Sequence, residues 1–185
     1  MILISGGIGS GKSVVSRVLR LRGWGVFDCD AVARGLTATE SSIASEICEA
    51  LGENVYHDGA YNKCRVSEII FSDSEKRAAL NKIVHAAVKN ELKRWHESST
   101  LNRYVECAIP SESGILELVD EIIYVEAPLE QRILRVGNRD GHTAEKVKTI
   151  MKAQSREEAA MRASGLWLTT IRNDGVSSIL SQLSS

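Results

Sequence analysis

Apolar residues fall into two rhythms along the chain. Ile2-Leu3-Ile4 is a short unbroken apolar run that ends in Gly6-Gly7, the pattern of a strand buried on both faces. From Ser13 to Arg22, Val14, Val15, Val18, Leu19 and Leu21 interleave with Ser16, Arg17 and Arg20, as on a buried helix, and Gly23 and Gly25 stop the run. Val26-Phe27 predicts a second strand that leads into Asp28-Cys29-Asp30. Strand, helix and strand at this spacing form a βαβ unit and predict an α/β fold.

The middle of the chain, about residues 31 to 100, carries a mostly helical pattern. Ser42 to Leu51 is one helix candidate. Ser74 to Trp95 is a longer one, with Leu80, Ile83, Val84, Ala87, Val88 and Leu92 at spacings of three and four. His57-Asp58-Gly59-Ala60 between them is a turn signal. Tyr104 to Ile109 predicts a third strand, closed by Pro110, and Glu121 to Val125 a fourth. A basic helix follows Pro128 to Arg139, with a turn at Asp140-Gly141. Another helix spans Thr143 to Met161, with Thr143 as its N-cap. Trp167 to Ile171 predicts the last strand. A turn at Asn173-Asp174-Gly175 precedes a final helix over Val176 to Leu183.

Composition narrows the class. The 185 residues are 43% hydrophobic and 25% charged, with a net charge of −1. That is ordinary globular composition without a dominant basic surface for nucleic acid. No apolar run approaches the roughly 18 residues of a membrane span. The start lacks the basic segment of a signal peptide, so cytoplasmic localisation is expected. Cys29, Cys48, Cys64 and Cys107 form neither CxxC nor a zinc-like spacing and are expected to be reduced, mostly buried thiols. Trp24, Trp95 and Trp167 are expected to be core or boundary aromatics.

Gly6-Gly7-Ile8-Gly9-Ser10-Gly11-Lys12-Ser13 fits G-x-x-x-x-G-K-[ST] at every position. Glycines let backbone N–H groups turn inward around phosphate oxygens. The helix that starts near Lys12 adds its N-terminal dipole. Lys12 reaches the β- and γ-phosphates, and the Ser13 hydroxyl is an Mg²⁺ ligand. A Gly-rich structural turn is the competing explanation. The motif lies between a strand and an amphipathic helix, and this context favours phosphate binding.

Asp28 and Asp30 follow the second strand, at the end where open α/β sheets bind ligands. One carboxylate can accept a substrate hydroxyl proton while the other holds Mg²⁺ through water. A helix N-cap accounts for such an aspartate without any chemistry. Beside a phosphate loop, the functional assignment is favoured. Arg132, Arg135 and Arg139 share one helix face at i, i+3 and i+7. On a closing lid they neutralise phosphate charge; otherwise they are a solvated basic face. Arg139, beside the glycine hinge at Gly141, is the leading candidate of the three. Glu106 is a possible Mg²⁺ ligand, with a paired or half-exposed glutamate the favoured alternative.

The phosphate loop, the D-x-D at Asp28 and Asp30, and Ala33-Arg34 resemble the dephospho-coenzyme A kinase family. The likeness continues through Asp58-Gly59-Ala60-Tyr61-Asn62-Lys63, Ile69-Ile70-Phe71-Ser72-Asp73 and Leu80-Asn81-Lys82-Ile83-Val84-His85. It runs on through Arg132 to Asp140, Ala153-Gln154 with Arg156, and Ile171-Arg172-Asn173-Asp174-Gly175. The chain departs from the family pattern at Ala86, where the family has Pro, and at Val14, where Thr is common. It departs again at Pro110-Ser111-Glu112-Ser113-Gly114 and at Ser164-Gly165.

The resemblance implies transfer of the γ-phosphoryl of ATP to the ribose 3′-hydroxyl of dephospho-CoA, the last step of coenzyme A synthesis. It implies Asp30 as catalytic base, with Lys12 and Arg139 completing the catalytic set. Gly7, Gly9, Ser10, Gly11, Lys12, Ser13, Val14, Arg139 and Asn173 would bind nucleotide. Asp30, Arg34 and His85 would meet the acceptor, and Ser13 and Asp28 would hold Mg²⁺. The expected fold is a three-layer α/β/α P-loop kinase with a parallel sheet of about five strands. Residues 1–30, 101–128 and 164–185 would form its nucleotide-binding core, 31–100 a helical acceptor region and 129–163 a lid. The partners implied are ATP and dephospho-CoA, with no nucleic acid and no membrane; the oligomeric state is left open. Two alternatives stay open: a P-loop kinase of another small hydroxylated metabolite or nucleoside, and a catalytically silent ATP-binding regulatory homologue.

Overall fold

The computed structural model describes residues 1–183, the side chain of Glu53 apart. In chain order its elements begin with β1 (Ile2–Ser5), α1 (Lys12–Leu21), β2 (Gly25–Asp28), α2 (Cys29–Thr39) and α3 (Ser41–Leu51). Next come β3 (Tyr56–His57), β4 (Ala60–Tyr61), α4 (Lys63–Ser72), α5 (Ser74–Glu97) and β5 (Asn102–Glu106). The chain closes with β6 (Glu121–Glu126), α6 (Leu129–Asp140), α7 (Ala144–Ala163), β7 (Trp167–Arg172) and α8 (Ile179–Gln182). These make two compact units, one of Met1–Phe27 with the chain from Ser98 onward, the other Asp28–Glu97.

The first unit is built on a five-stranded sheet of order β2-β5-β1-β6-β7. Central β1 runs parallel to both β5 and β6, and β6 parallel to β7. The apolar run Ile2-Leu3-Ile4 has neighbours on both sides, which explains why it lacks alternation. Ile4, Val125 and Ile171 form one buried cluster with Val15 and Leu19 of α1, and Ile179 and Leu183 pack against it. Tyr124 points to the opposite face, where its hydroxyl donates to Glu158 of α7 at 2.8 Å. Helices therefore cover both faces, giving the expected three layers.

The second unit is helical around a core of its own. Ile43, Ile47 and Leu51, at i, i+4 and i+8 of α3, bury against Val55, Val66 and Leu80. Burying each such side chain contributes about 1.5–3 kcal/mol. The turn signal at His57 to Ala60 is a two-residue hairpin joining β3 and β4. Asp58 and Gly59 take positive φ of 49° and 78°, as a type I′ turn requires. Tyr56 meets Tyr61 edge to face at 5.3 Å and donates its hydroxyl to the Thr37 carbonyl at 2.7 Å. Burial pushes the Tyr56 phenol up to about 12, with smaller contributions from Tyr61 and Cys48.

Four expectations need correction. β5 starts at Asn102 and ends at Glu106 rather than spanning Tyr104 to Ile109. Beyond it the chain turns, with the Ser113 N–H bonded to the Ile109 carbonyl. The final helix covers only Ile179–Gln182. The Asp174 carboxylate accepts from the N–H groups of Val176 and Ser177, and Ser178 caps the helix; both delay its start. Trp167 lies on β7 at the sheet edge and is exposed. All four cysteines are free, but only Cys29 and Cys107 are buried.

Candidate active site

β1 delivers the chain into the phosphate loop, and α1 takes it out at Lys12. Gly11 is the N-cap of α1, in the left-handed conformation at φ 98°, and provides no side-chain cap. The Val14 N–H bonds back to the Gly11 carbonyl at 3.0 Å, and the helix dipole favours an anion at this end of α1. A Cβ on Gly11 would strike the side-chain amide of Asn173. A Cβ on Gly6 would strike the Val125 carbonyl of neighbouring β6. Both glycines are therefore dictated by close approach.

The loop's carbonyls are held by side chains, most of them from outside the loop. Lys12 Nζ donates to the Gly6 carbonyl at 2.8 Å. Arg132 Nε donates to the Ile8 carbonyl at 2.8 Å. Arg135 Nη1 reaches the Gly9 carbonyl at 3.3 Å and, more weakly, that of Ser10 at 3.5 Å. Asn173 Nδ2 donates to the Ser10 carbonyl at 2.8 Å. Two loop donors are also engaged: the Ile8 N–H bonds Gln154 Oε1 at 2.7 Å, and the Ser10 N–H bonds the Gly7 carbonyl at 3.1 Å. With these carbonyls tied back, the loop is organised as a cradle for phosphate oxygens.

The two arginines that touch the loop lie on α6. Arg132 is half-buried, and burial pulls its guanidinium below its ordinary pKa while nearby Tyr124 and Glu158 oppose that shift. Arg135 also donates to Gln131 Oε1 at 2.8 Å and to the Asn173 carbonyl at 3.1 Å. Arg139, favoured from the sequence, is turned elsewhere. Its guanidinium makes two hydrogen bonds to adjacent Asp140, at 2.8 and 2.7 Å, which raise its pKa.

α7 lies against the same region. Besides Gln154, its Glu157 is buried and accepts from the N–H groups of Ser111 and Glu112 at 2.7 and 3.1 Å. Those two amides belong to the turn where the sequence departs from the family pattern. A small cavity of about 110 Å³ beside the loop is lined by Ser5, Gly7, Tyr124, Arg132, Gln154 and Glu158 among others. Burial, and next the hydrogen bond to Glu158, hold the Tyr124 phenol well above its usual pKa.

Of the nucleotide-side candidates, Gly7, Gly9, Ser10, Gly11, Lys12 and Asn173 come together at the loop. Val14 follows on α1 and is exposed. Ser13 is also exposed, on the first turn of α1. Among the described residues, no cluster of three or more His, Cys, Asp or Glu could hold a metal by itself. A lone exposed hydroxyl beside a phosphate cradle fits an ion that arrives on phosphate with its own waters, the manner of Mg²⁺.

The second unit holds the remaining candidates. Asp28 is the N-cap of α2, its Oδ1 accepting from the Ala31 N–H at 2.9 Å. The structural explanation for this carboxylate is therefore realised. Asp30 is exposed on the first turn of α2. Arg34, one turn later, and His85 of α5 line a cavity of about 850 Å³ with Lys63, Asn81, Val66 and Ile70. Lys63 and Asn81 carried no signal of their own beyond their place in the quoted segments.

Comparison with known proteins agrees with this geometry. The dephospho-CoA kinase family model matches residues 1–177. A dephospho-CoA kinase from Bacteroides fragilis is 37% identical over 183 residues, covering 97% of this chain and 87% of its own. A crystal structure from Thermus thermophilus superposes with a TM-score of 0.77 at 29% identity, over 99% of this chain and 91% of that one. A dephospho-CoA kinase from Campylobacter jejuni shares the fold, with a TM-score of 0.66 at 18% identity over 99% of this chain and 91% of that one. With the family model matched along nearly its whole length and a phosphate loop built as that match requires, the chain belongs to the dephospho-CoA kinase family.

Proposed function

We propose that this chain transfers the γ-phosphoryl group of ATP to the ribose 3′-hydroxyl of dephospho-CoA, giving coenzyme A and ADP. The observation that carries the reading is the phosphate loop, with its carbonyls drawn outward and its glycines fixed by close contacts. The cavity of the Asp28–Glu97 unit adds support. Its volume suits a large acceptor, its apolar wall suits a pantetheine arm, and Arg34 and Lys63 suit a pyrophosphate.

In this reading Lys12 neutralises the transferring phosphoryl oxygens, and the loop N–H groups hold the β-phosphate. Asp30 takes the acceptor proton as the new P–O bond forms. Arg139 contributes once released from Asp140, and Asn173 holds the loop on the nucleotide side. Arg34 and His85 orient the acceptor. Mg²⁺ supplies charge neutralisation between the β- and γ-phosphates when bound. Ser13 would hold it directly, and Asp28, beyond capping α2, would hold it through water. Residues 129–163 would act as the lid. The cytoplasm is the proposed site of action; no helix among the described residues is long and apolar enough to cross a membrane.

The test is phosphoryl transfer from Mg·ATP to dephospho-CoA, following coenzyme A by mass, with Asp30→Asn in parallel. Product from wild type and a loss of about 100-fold or more in the variant are expected for a general base. Equal product from both would remove Asp30 from its role. No product from folded, ATP-binding wild type would send the search to other hydroxylated acceptors, because the turn at Ser111 to Gly114 departs from the family.

A further inference from the structure

The peptide groups flanking Ile8 are held by two helices at once. The Ile8 N–H is 2.7 Å from Gln154 Oε1 of α7, and its carbonyl is 2.8 Å from Arg132 Nε of α6. The loop's own backbone offers little here, its internal bond being Ser10 N–H to the Gly7 carbonyl at 3.1 Å. The Arg132 guanidinium also approaches Gly7 closely, where a Cβ would meet its Nη2. The orientation of these peptides is therefore set by side chains outside the loop.

Gln154 sits on a firm support. Glu157, Glu158 and Met161 follow it at i+3, i+4 and i+7, on the same face of α7. Glu157 grips the Ser111 and Glu112 amides, Glu158 accepts from Tyr124, and Met161 is buried. An amide oxygen fixed in this way can hold an N–H to within the tolerance that catalysis needs.

The position of Ile8 in the loop matters. The helix end of the loop, with the first-turn amides of α1, takes the α- and β-phosphates. The opposite half, Gly6 to Gly9, then falls at the terminal phosphate. We infer that Gln154 is a positioning residue for phosphoryl transfer, acting with Arg132 as a two-sided clamp on Ile8 at the terminal-phosphate end of the loop. This rests on the kinase reading above. The clamp acts on the transferring group rather than on nucleotide capture, because most of the binding contacts belong to the other half of the loop.

The experiment uses the full chain carrying Gln154→Met, which keeps length but removes the acceptor. Gln154→Glu retains an acceptor oxygen at the same reach, with the neighbouring Arg132 to balance its charge. Four quantities are measured: exchange of the Ile8 amide hydrogen in nucleotide-free protein by NMR, ADP affinity, and steady-state kcat and KM for ATP. In Gln154→Met the Ile8 amide should exchange about tenfold faster or more. The kcat should fall about tenfold or more, as for a small misplacement of reacting groups. ADP affinity and KM for ATP should stay within about twofold, because an interaction made in the transition state is what is lost. Gln154→Glu should restore slow exchange and most of kcat.

Unchanged exchange of Ile8 would overturn the clamp. So would an unchanged kcat, or ATP binding that tightens on removing Gln154, since the glutamine would then be a competitor for the phosphate's place. If Gln154→Met does not fold, Gln154→Ala is read by the same criteria. The exchange and ADP measurements need no acceptor. Failure of dephospho-CoA as substrate would leave intrinsic ATP hydrolysis as the turnover readout, so the two readings fail separately.

Discussion

Replacing Glu157 isolates the contribution of one buried carboxylate. Its two oxygens accept separate backbone N–H groups, from Ser111 at 2.7 Å and Glu112 at 3.1 Å. Hydrogen bonds to a charged group contribute about 1.5–3 kcal/mol each, and stranding a buried donor costs about 1–3 kcal/mol. The residues Ser111 and Glu112 are themselves exposed, so water can reach the released amides in part and the lower end of each range applies. Glu157→Ala should then destabilise by about 2–4 kcal/mol. Glu157→Gln keeps one acceptor oxygen but sets an NH₂ group against the second amide, and should lose about 1.5–2.5 kcal/mol. For a chain of this length, 1 kcal/mol moves the melting temperature by about 2–4 °C. The assay is urea and thermal unfolding of both variants beside wild type. The order wild type, Gln, Ala is the expected result. A Gln variant as stable as wild type would refute the reasoning, because a carboxylate gripping two donors cannot be replaced by an amide without cost.

Gly11→Ala should abolish ATP binding while leaving the second unit folded, since its Cβ meets the Asn173 amide at a positive φ; isothermal titration with ATP checks this, and unaltered affinity would count against the close-packed loop. Arg135→Ala should weaken ATP binding about tenfold or more, while Arg139→Ala changes it by less than about threefold, because Arg135 contacts loop carbonyls and Arg139 contacts Asp140; equal effects would restore the weight the sequence placed on Arg139. Asp174 is held down to about 2 by the backbone N–H groups of Ser177 and Val176 and the Ser177 hydroxyl. A depressed carboxylate stabilises above its unfolded pKa of 3.8 and loses that contribution as pH falls towards 2. Its carboxyl ¹³C signal should therefore titrate below pH 3, and a midpoint near 4 would contradict the turn.

Local signals carried most of the fold. Continuous apolar runs marked β1 and β6, the three-and-four spacing marked α5, and Asp58-Gly59 marked a turn, which the structure shows to be that of a hairpin. Errors arose where a nearby polar group overrode the pattern. Asp174 captured two amides and shortened the last helix, and the polar residues Asn102 and Arg103 hid the start of β5. The phosphate loop was legible because its chemistry is contained in eight consecutive residues. The choice among Arg132, Arg135 and Arg139 was not, because all three share a helix face and only the neighbouring Asp140 decides which is diverted. Gln154 and Glu157 act on residues 146 and 46 positions away along the chain. No spacing rule reports such a contact, although Gln154 lay within a segment that resembled the family.

The Asp28–Glu97 unit leaves and rejoins the first unit at neighbouring strands, β2 and β5, tied by the Gly25 N–H to the Leu101 carbonyl at 2.8 Å. This arrangement has a kinetic consequence. As an unstructured loop, the intervening 70 residues would cost about 4 kcal/mol of closure entropy before β5 could pair with β2. Helix–helix contacts within the segment, such as those of α2 and α3 with α5, close smaller loops than the pairing of β5 with β2 and are expected to form first. Prior collapse of this segment shortens the effective loop and removes much of that cost. Assembly is therefore expected to run from the insert outward, and pulse-labelled refolding should protect the amides of α3 and α5 before those of β5.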